Sequence, residues 1–234
     1  MHTVLLAVPD AKKYFDESVR TVITGNPVRG EVLRMDREQA RKELGLDSRP
    51  LVLSFGGSLG AAMLNRAAAY MLAESAKSGK YQHIHGYGQN DPMFLEELSE
   101  YGLDLPKNPQ IRVLDYIHNM PTCLAAADLV ISRAGAMTLS EIEAKGKASI
   151  LIPSPNVAEN HQFHNAMALV KRGAGEIIEE KDLTGEALWK KVEKILSDPE
   201  RLKSLGENAQ KMDILDANNR IYKVIKEAYG SKGK

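Results

Sequence analysis

Residues 128–143 read Asp128-Leu-Val-Ile-Ser-Arg-Ala-Gly-Ala-Met-Thr-Leu-Ser-Glu-Ile-Glu143. Leu129 to Ile131 form an unbroken aliphatic run, which predicts a short buried strand. Gly135 predicts a tight turn, and a helix is expected from about Met137. A strand that enters a helix through small residues exposes backbone N–H groups at the positive end of the helix dipole, a setting that suits a phosphate. Glu141 falls about one turn into that helix, where its carboxylate can accept from two neighbouring hydroxyls, such as those of a ribose. Thr138 adds a hydroxyl at the mouth of the same turn. The Thr138-x-x-Glu141 spacing is equally that of a capping box, in which both side chains serve only the helix's own N–H groups.

The same unit recurs on either side. Pro50 to Phe55 predicts a buried strand, followed by Gly56-Gly-Ser-Leu-Gly-Ala61 and an alanine-rich helix to about Ala76. That loop is neither Gly-x-Gly-x-x-Gly nor followed by Lys-Ser/Thr, so the dinucleotide fingerprint and the P-loop are both excluded. Downstream, Ser149 to Ile152 predicts a strand, and Glu159 opens a helix that runs to Arg172 and stops at Gly173. Further strands are expected at Val4–Val8, Val19–Ile23, Tyr81–His85, Ile111–Leu114 and Gly175–Ile178. Helices are expected at Arg37–Leu44, Pro92–Tyr101, Gly185–Leu196 and Pro199–Met212. A last helix shows an apolar face through Ile214, Ala217, Ile221, Val224, Ile225 and Ala228. Strands alternating with helices predict an α/β fold, a Rossmann-like parallel sheet with helices on both faces. Such sheets bind ligands at the carboxyl ends of their strands, where the turns at Gly56, Gly135 and Glu159 converge.

Composition narrows the function. Lys plus Arg and Asp plus Glu number 31 each in 234 residues, so zero net charge gives no electrostatic case for nucleic acid. A single cysteine, Cys123, excludes an internal disulfide framework. No apolar run approaches the roughly 20 residues that span a bilayer. Val4 to Val8 is too short for a signal peptide, and a chain that opens inside a strand implies further chain upstream. Glu159, His161 and His164 crowd one helical turn, which suits tetrahedral metal binding poorly, and no Asp-x-Asp pair is present; no metal site is expected.

Asn26-Pro-Val-Arg29, Gly56-Gly-Ser-Leu-Gly-Ala61, Arg133 to Glu141 and Asn160-His-Gln-Phe-His-Asn165, in this order, resemble the motifs of the MurG family. These peptidoglycan glycosyltransferases move N-acetylglucosamine from UDP-GlcNAc onto a lipid-linked muramyl-pentapeptide, giving lipid II. The resemblance extends over essentially the whole chain and implies one half of a GT-B fold, the half that binds the donor. It implies that residues 1–16 close an absent N-terminal acceptor domain, that 17–212 form the UDP-GlcNAc domain, and that the helix within 213–234 crosses back. Arg29 and Ser58 would meet the diphosphate, with Gly57 and Gly60 shaping the turn. Ile117 would lie against the uracil. Ala136, Met137 and Thr138 would line the diphosphate and sugar, Glu141 would hold the ribose, and His161, Gln162 and Asn165 would face the N-acetylglucosamine. No catalytic base is expected in this chain; the family's base belongs to the absent half. The resemblance implies donor binding without metal or cofactor. It also implies an acceptor and membrane contact reached through the absent half, and a cytoplasmic place at the inner face of the bacterial membrane. Two alternatives share the donor: a stand-alone nucleotide-sugar-binding subunit working with a separate partner, and half of a UDP-GlcNAc 2-epimerase.

Overall fold

The structure is a computed structural model that describes residues 3–230. Strand β1 (Thr3–Leu6) pairs in parallel with β2 (Arg20–Ile23), and the two form a sheet of their own. The boundary expected at residue 16 therefore falls inside a strand pair. Only Leu6 of these two strands is buried, so neither has the two covered faces that a central parallel strand needs. Two short helices follow, α1 (Gly30–Arg34) and α2 (Arg37–Glu43), the second capped by the Asp36 carboxylate.

The larger sheet then builds up by alternation. It comprises β3 (Leu51–Phe55), α3 (Ala62–Ser78), β4 (Gln82–Gly86), α4 (Phe94–Glu100), β5 (Ile111–Leu114) and α5 (Met120–Ala126). Next come β6 (Leu129–Ser132), α6 (Ala136–Ala144), β7 (Ala148–Leu151), α7 (His161–Val170) and β8 (Glu176–Ile177). Helices α8 (Gly185–Leu196), α9 (Pro199–Gln210) and α10 (Ala217–Gly230) end the chain.

All six strands of this sheet are parallel, in the order β5-β4-β3-β6-β7-β8. Successive side chains point to opposite faces, and both faces are covered. Leu51 and Leu53 join a core with α1, α2, α5 and α6, whereas Val52 joins another with α3, α4 and α8. The expected Rossmann-like architecture is thus present. The chain builds the sheet outward from β3 to β5, then returns to β3's other edge with β6. That reversal opens a crevice beyond the carboxyl ends of β3 and β6, the place where open α/β sheets bind ligands.

The last helix returns to the small sheet. Arg220 Nη1 donates to the Ile23 carbonyl at 3.4 Å, and Arg20 meets Glu227 at 2.7 Å. Of the apolar face read from the sequence, Ala217 is buried, Ile221 and Val224 are half-buried, and Ile225 is exposed. Among the described residues no helix is long and apolar enough to cross a membrane.

Candidate functional site

The crevice holds a cleft of about 220 Å³. Six of the residues singled out from the sequence line it: Arg29, Gly57, Ser58, Ile117, Thr138 and Glu141. They come from four separate segments, brought together by the fold.

The first wall is the loop after β3. Gly57 and Gly60 have φ of 101° and 87°, in the left-handed region that side chains with a Cβ rarely adopt. Gly60 is also packed against the loop after β4: a Cβ there would lie 2.2 Å from the Tyr87 carbonyl oxygen. A Cβ on Gly88 would lie 2.1 Å from the Gly60 nitrogen. Gln89 and Asn90 donate backbone N–H groups to the Ser58 and Leu59 carbonyls, each at 3.3 Å. Buried Asn65 ties the pair of loops to α3, donating to the Tyr87 carbonyl and to Asp91 Oδ2, both at 2.7 Å. Two loops thus act as one rigid lip.

The second wall is the start of α6. Helix α6 opens at Ala136 with Gly135 as its N-cap, one residue earlier than expected, and Thr138 is its third residue. No side chain caps it, so the capping box does not form. Helix α3 likewise begins without a side-chain cap. So do α1, α4, α5 and α7, whereas α2, α8 and α9 are capped by Asp36, Thr184 and Asp198. The two helices that face the crevice therefore leave their first N–H groups without an internal acceptor, which favours an anionic ligand.

Glu141 is committed elsewhere than to the helix end. Arg29 Nε and Nη2 both reach its Oε1 at 3.0 Å. The glutamate side chain is 12% exposed and the arginine 53%. The segment that carries Arg29 is docked on the same helix, with Asn26 Nδ2 donating to Ser140 Oγ at 3.0 Å. Val28 and Val32 anchor it in the core below.

The other expected residues lie outside the cleft. Gly60, Ala136 and Met137 sit in the loop and helix start that frame it, and Met137 is exposed. Gln162 Oε1 accepts from the Ser154 N–H at 3.0 Å, and Asn165 Nδ2 donates to the Ala134 carbonyl at 3.2 Å. Both side chains thereby hold the turns that follow β6 and β7. His161 is exposed, its Nδ1 3.0 Å from the Ala158 carbonyl. The helix expected from Glu159 starts at His161, because Glu159 and Asn160 adopt φ of 53° and 51°. Arg133 forms a close ion pair with Glu180, which fixes the turn after β6 to the segment after β8. Among the described residues no three His, Cys, Asp or Glu side chains are grouped to hold a metal ion.

Asp115, Tyr116, His118 and Met120, to which the sequence assigns no role, also line the cleft beside Ile117. Their position at the end of a predicted strand is the available signal. His83 and His85 carry no such signal. Both are fully buried in β4, where they meet Ser75 Oγ at 2.7 Å and Ser54 Oγ at 2.8 Å. Burial pushes both imidazoles down to about 3.

The glycosyltransferase family 28 C-terminal domain matches residues 51–221, from the first residue of β3 into α10. The chain belongs to glycosyltransferase family 28. The matched span contains the whole six-stranded sheet and leaves out the β1–β2 pair. Among family 28 relatives is the UDP-N-acetylglucosamine–N-acetylmuramyl-(pentapeptide) pyrophosphoryl-undecaprenol N-acetylglucosamine transferase of Thermoanaerobacter sp. strain X514. It is 43% identical over 224 residues, 95% of this chain and 61% of that protein. The enzyme of the same name from Acetivibrio thermocellus is 40% identical over 231 residues, 98% of this chain and 61% of that protein. The crystal structure of Acinetobacter baumannii MurG superposes with a TM-score of 0.74 at 28% identity, covering 96% of this chain and 60% of that one. The chain thus spans about 61% of the length of these curated family 28 relatives. Its fold is one half of the GT-B architecture.

Proposed function

We propose that this chain binds UDP-GlcNAc and acts as the donor half of a MurG-type transferase that makes lipid II. The observation that carries the reading is the crevice between β3 and β6, where two uncapped helix starts flank Ser58 and Glu141. Family 28 membership and relatives named as N-acetylglucosamine transferases supply the donor's identity. They also favour the transferase over the epimerase.

In this reading the uracil lies against Ile117, the ribose hydroxyls bond to Glu141, and the diphosphate meets Ser58 and the N–H groups at the starts of α3 and α6. Thr138, Ala136 and Met137 flank the diphosphate and sugar, and Gln162 and Asn165 approach the N-acetylglucosamine from α7. Transfer is an inverting displacement: an acceptor hydroxyl attacks the anomeric carbon as its bond to the UDP oxygen breaks. Negative charge grows on that leaving oxygen, and fixed N–H dipoles stabilise it without reorganising. The donor needs no metal here, because backbone donors and the helix ends supply the compensating field. The lipid-linked acceptor, the base and the membrane contact belong to the part of the relatives' length beyond this chain's span.

Titration calorimetry with UDP, UDP-GlcNAc and ADP tests donor binding. The expected result is heat with both uridine nucleotides and little with ADP. Absence of any uridine nucleotide binding at millimolar ligand would sink the proposal. A lipid I analogue, incubated with this chain and UDP-GlcNAc, tests the division of labour. Transfer is expected only when the N-terminal region of the Thermoanaerobacter relative is added.

A further inference from the structure

The amino ends of β6 and β7, opposite the donor cleft, border a second hollow of about 390 Å³, walled on one side by α9. The turn that leads into β7 has Gly146 at φ 55°, and a Cβ on Gly206 of α9 would lie 2.5 Å from the Gly146 carbonyl oxygen. Close packing of α9 on this turn therefore sets the wall. Lys147 is only 7% exposed, and its ammonium donates to the Ala125 and Ala127 carbonyls at 2.7 and 2.8 Å. Lys145 donates to the Met35 carbonyl at 2.7 Å. An ammonium has three donors, so both lysines keep N–H groups without an acceptor among the described residues. Asp128, a carboxylate in the wall, already takes Arg37 at 2.6 Å, Arg41 at 3.2 Å and the Leu51 N–H at 2.8 Å. Arg37, Lys145, Lys147 and Lys203 thus line the hollow against two carboxylates, Asp128 and Glu207. The carbonyls that hold the lysines close α1 and α5, and a helix end offsets about half a charge. Burial, opposed by Asp128 and aided by Arg37, Lys145 and Arg41, pushes the Lys147 ammonium down to about 8. An anion in the hollow would engage the idle donors and offset the excess positive charge.

We propose that this hollow binds a small organic phosphate, a monoester whose phosphate group meets Arg37, Lys145 and Lys147 while its carbon skeleton lies on Pro199 and Leu202 of α9. Its volume falls within the roughly 300–1,000 Å³ of small-molecule pockets. A recess behind α9 suits a free molecule better than a headgroup held in a flat bilayer. Strands β6 and β7 have four residues each, so about 13 Å of sheet separates the hollow from the donor cleft. The two sites share no donors.

Nuclear magnetic resonance on the nitrogen-15-labelled chain tests this, with glucose 6-phosphate, glucose and inorganic phosphate as probes. Glucose 6-phosphate is expected to shift the amide signals of Gly146, Lys147 and Ala148 saturably, at concentrations that leave Gly57 and Ser58 of the donor cleft unmoved. Glucose should shift none of them. Inorganic phosphate should bind about fourfold more weakly than the ester, the worth of burying a methylene-sized group. Lys147→Met removes a charged donor and should weaken the ester about tenfold or more. Because Lys147 also holds the end of α5, a second variant guards against loss of the fold. Lys145→Gln, at a half-buried position with a single carbonyl partner, should melt as the wild type does and weaken the ester by about fivefold. Shifts confined to the donor cleft, equal shifts with glucose, or inorganic phosphate binding as tightly as the ester would overturn the proposal. So would an affinity for the ester that is unchanged in Lys145→Gln, or no response to the ester at all. Phosphatidylglycerol vesicles that shift these signals where the ester does not would assign the cations to a membrane surface and overturn it as well.

Discussion

At the scale of single residues, Glu141 shows how one spacing can carry two meanings. Thr138-x-x-Glu141 fits a capping box, and only the actual start of α6 decides against it, because the helix begins at Ala136 and carries no side-chain cap. The partner that does hold Glu141, Arg29, lies far away in the chain and has no local signature. This gives a two-sided prediction for Glu141→Ala. A half-exposed ion pair contributes about 0–1 kcal/mol, so thermal melting should barely change. UDP affinity should fall about ten- to a hundredfold, because charged hydrogen bonds to the ribose are lost. A large drop in melting temperature with unchanged UDP affinity would return the residue to a structural role.

At the scale of elements, the Gly60–Gly88 contact makes the loop after β4 part of the cleft wall formed by the loop after β3. Substituting Gly88 by Ala drives a methyl group into the Gly60 backbone, and backbone cannot swing aside as a side chain can. Gly88→Ala should therefore weaken UDP by about tenfold or more, through N–H groups displaced from the phosphates, and leave uridine affinity within about twofold. Equal losses for uridine and UDP, measured by calorimetry, would show general damage to the fold. Much of the element plan was legible from the chain itself. Aliphatic runs such as Leu129–Ile131 and Ser149–Ile152 mark strands buried on both faces, and glycines mark the turns that follow. Helix α1 was not legible, since five residues are too few to show a period. Nor was the partner of β2, because the pattern of a strand reports which faces are covered and says nothing about its neighbour. In the site, the glycine loop and Glu141 could be read from chemistry. The cleft-lining loop from Asp115 to His118 and the Arg29 pairing required three dimensions.

At the scale of the whole molecule, buried titratable groups set how the fold responds to acid. His83 and His85 stay neutral in the folded state down to about pH 3 and become charged near pH 6.5 when unfolded. The unfolded chain therefore binds more protons between these values, and stability is lost as pH falls, by up to about 1.4 kcal/mol per pH unit for each histidine. Glu143 works in the other direction. Burial, with Asp213 adding to it, pushes this carboxyl up to about 7, so it favours the folded state as pH falls toward 4.5. Two histidines outweigh one glutamate between pH 6 and pH 5, so the net effect over that unit is a loss of stability. Urea unfolding should show a lower midpoint at pH 5 than at pH 6, and an equal or higher midpoint would contradict this balance. The strand order has a consequence in time as well as in space. Val52 registers with His83 on one side and with Leu129 on the other, across a stretch of chain more than twice as long. Doubling a loop costs only about 0.6 kcal/mol in closure entropy, but a ribosome adds roughly 5–20 residues per second. For some seconds of synthesis, β3 can pair with β4 while its other edge waits bare for β6. The crevice does not exist until that edge is closed, and the unfilled edge of β3 is where a nascent chain is most exposed to pairing with the wrong strand.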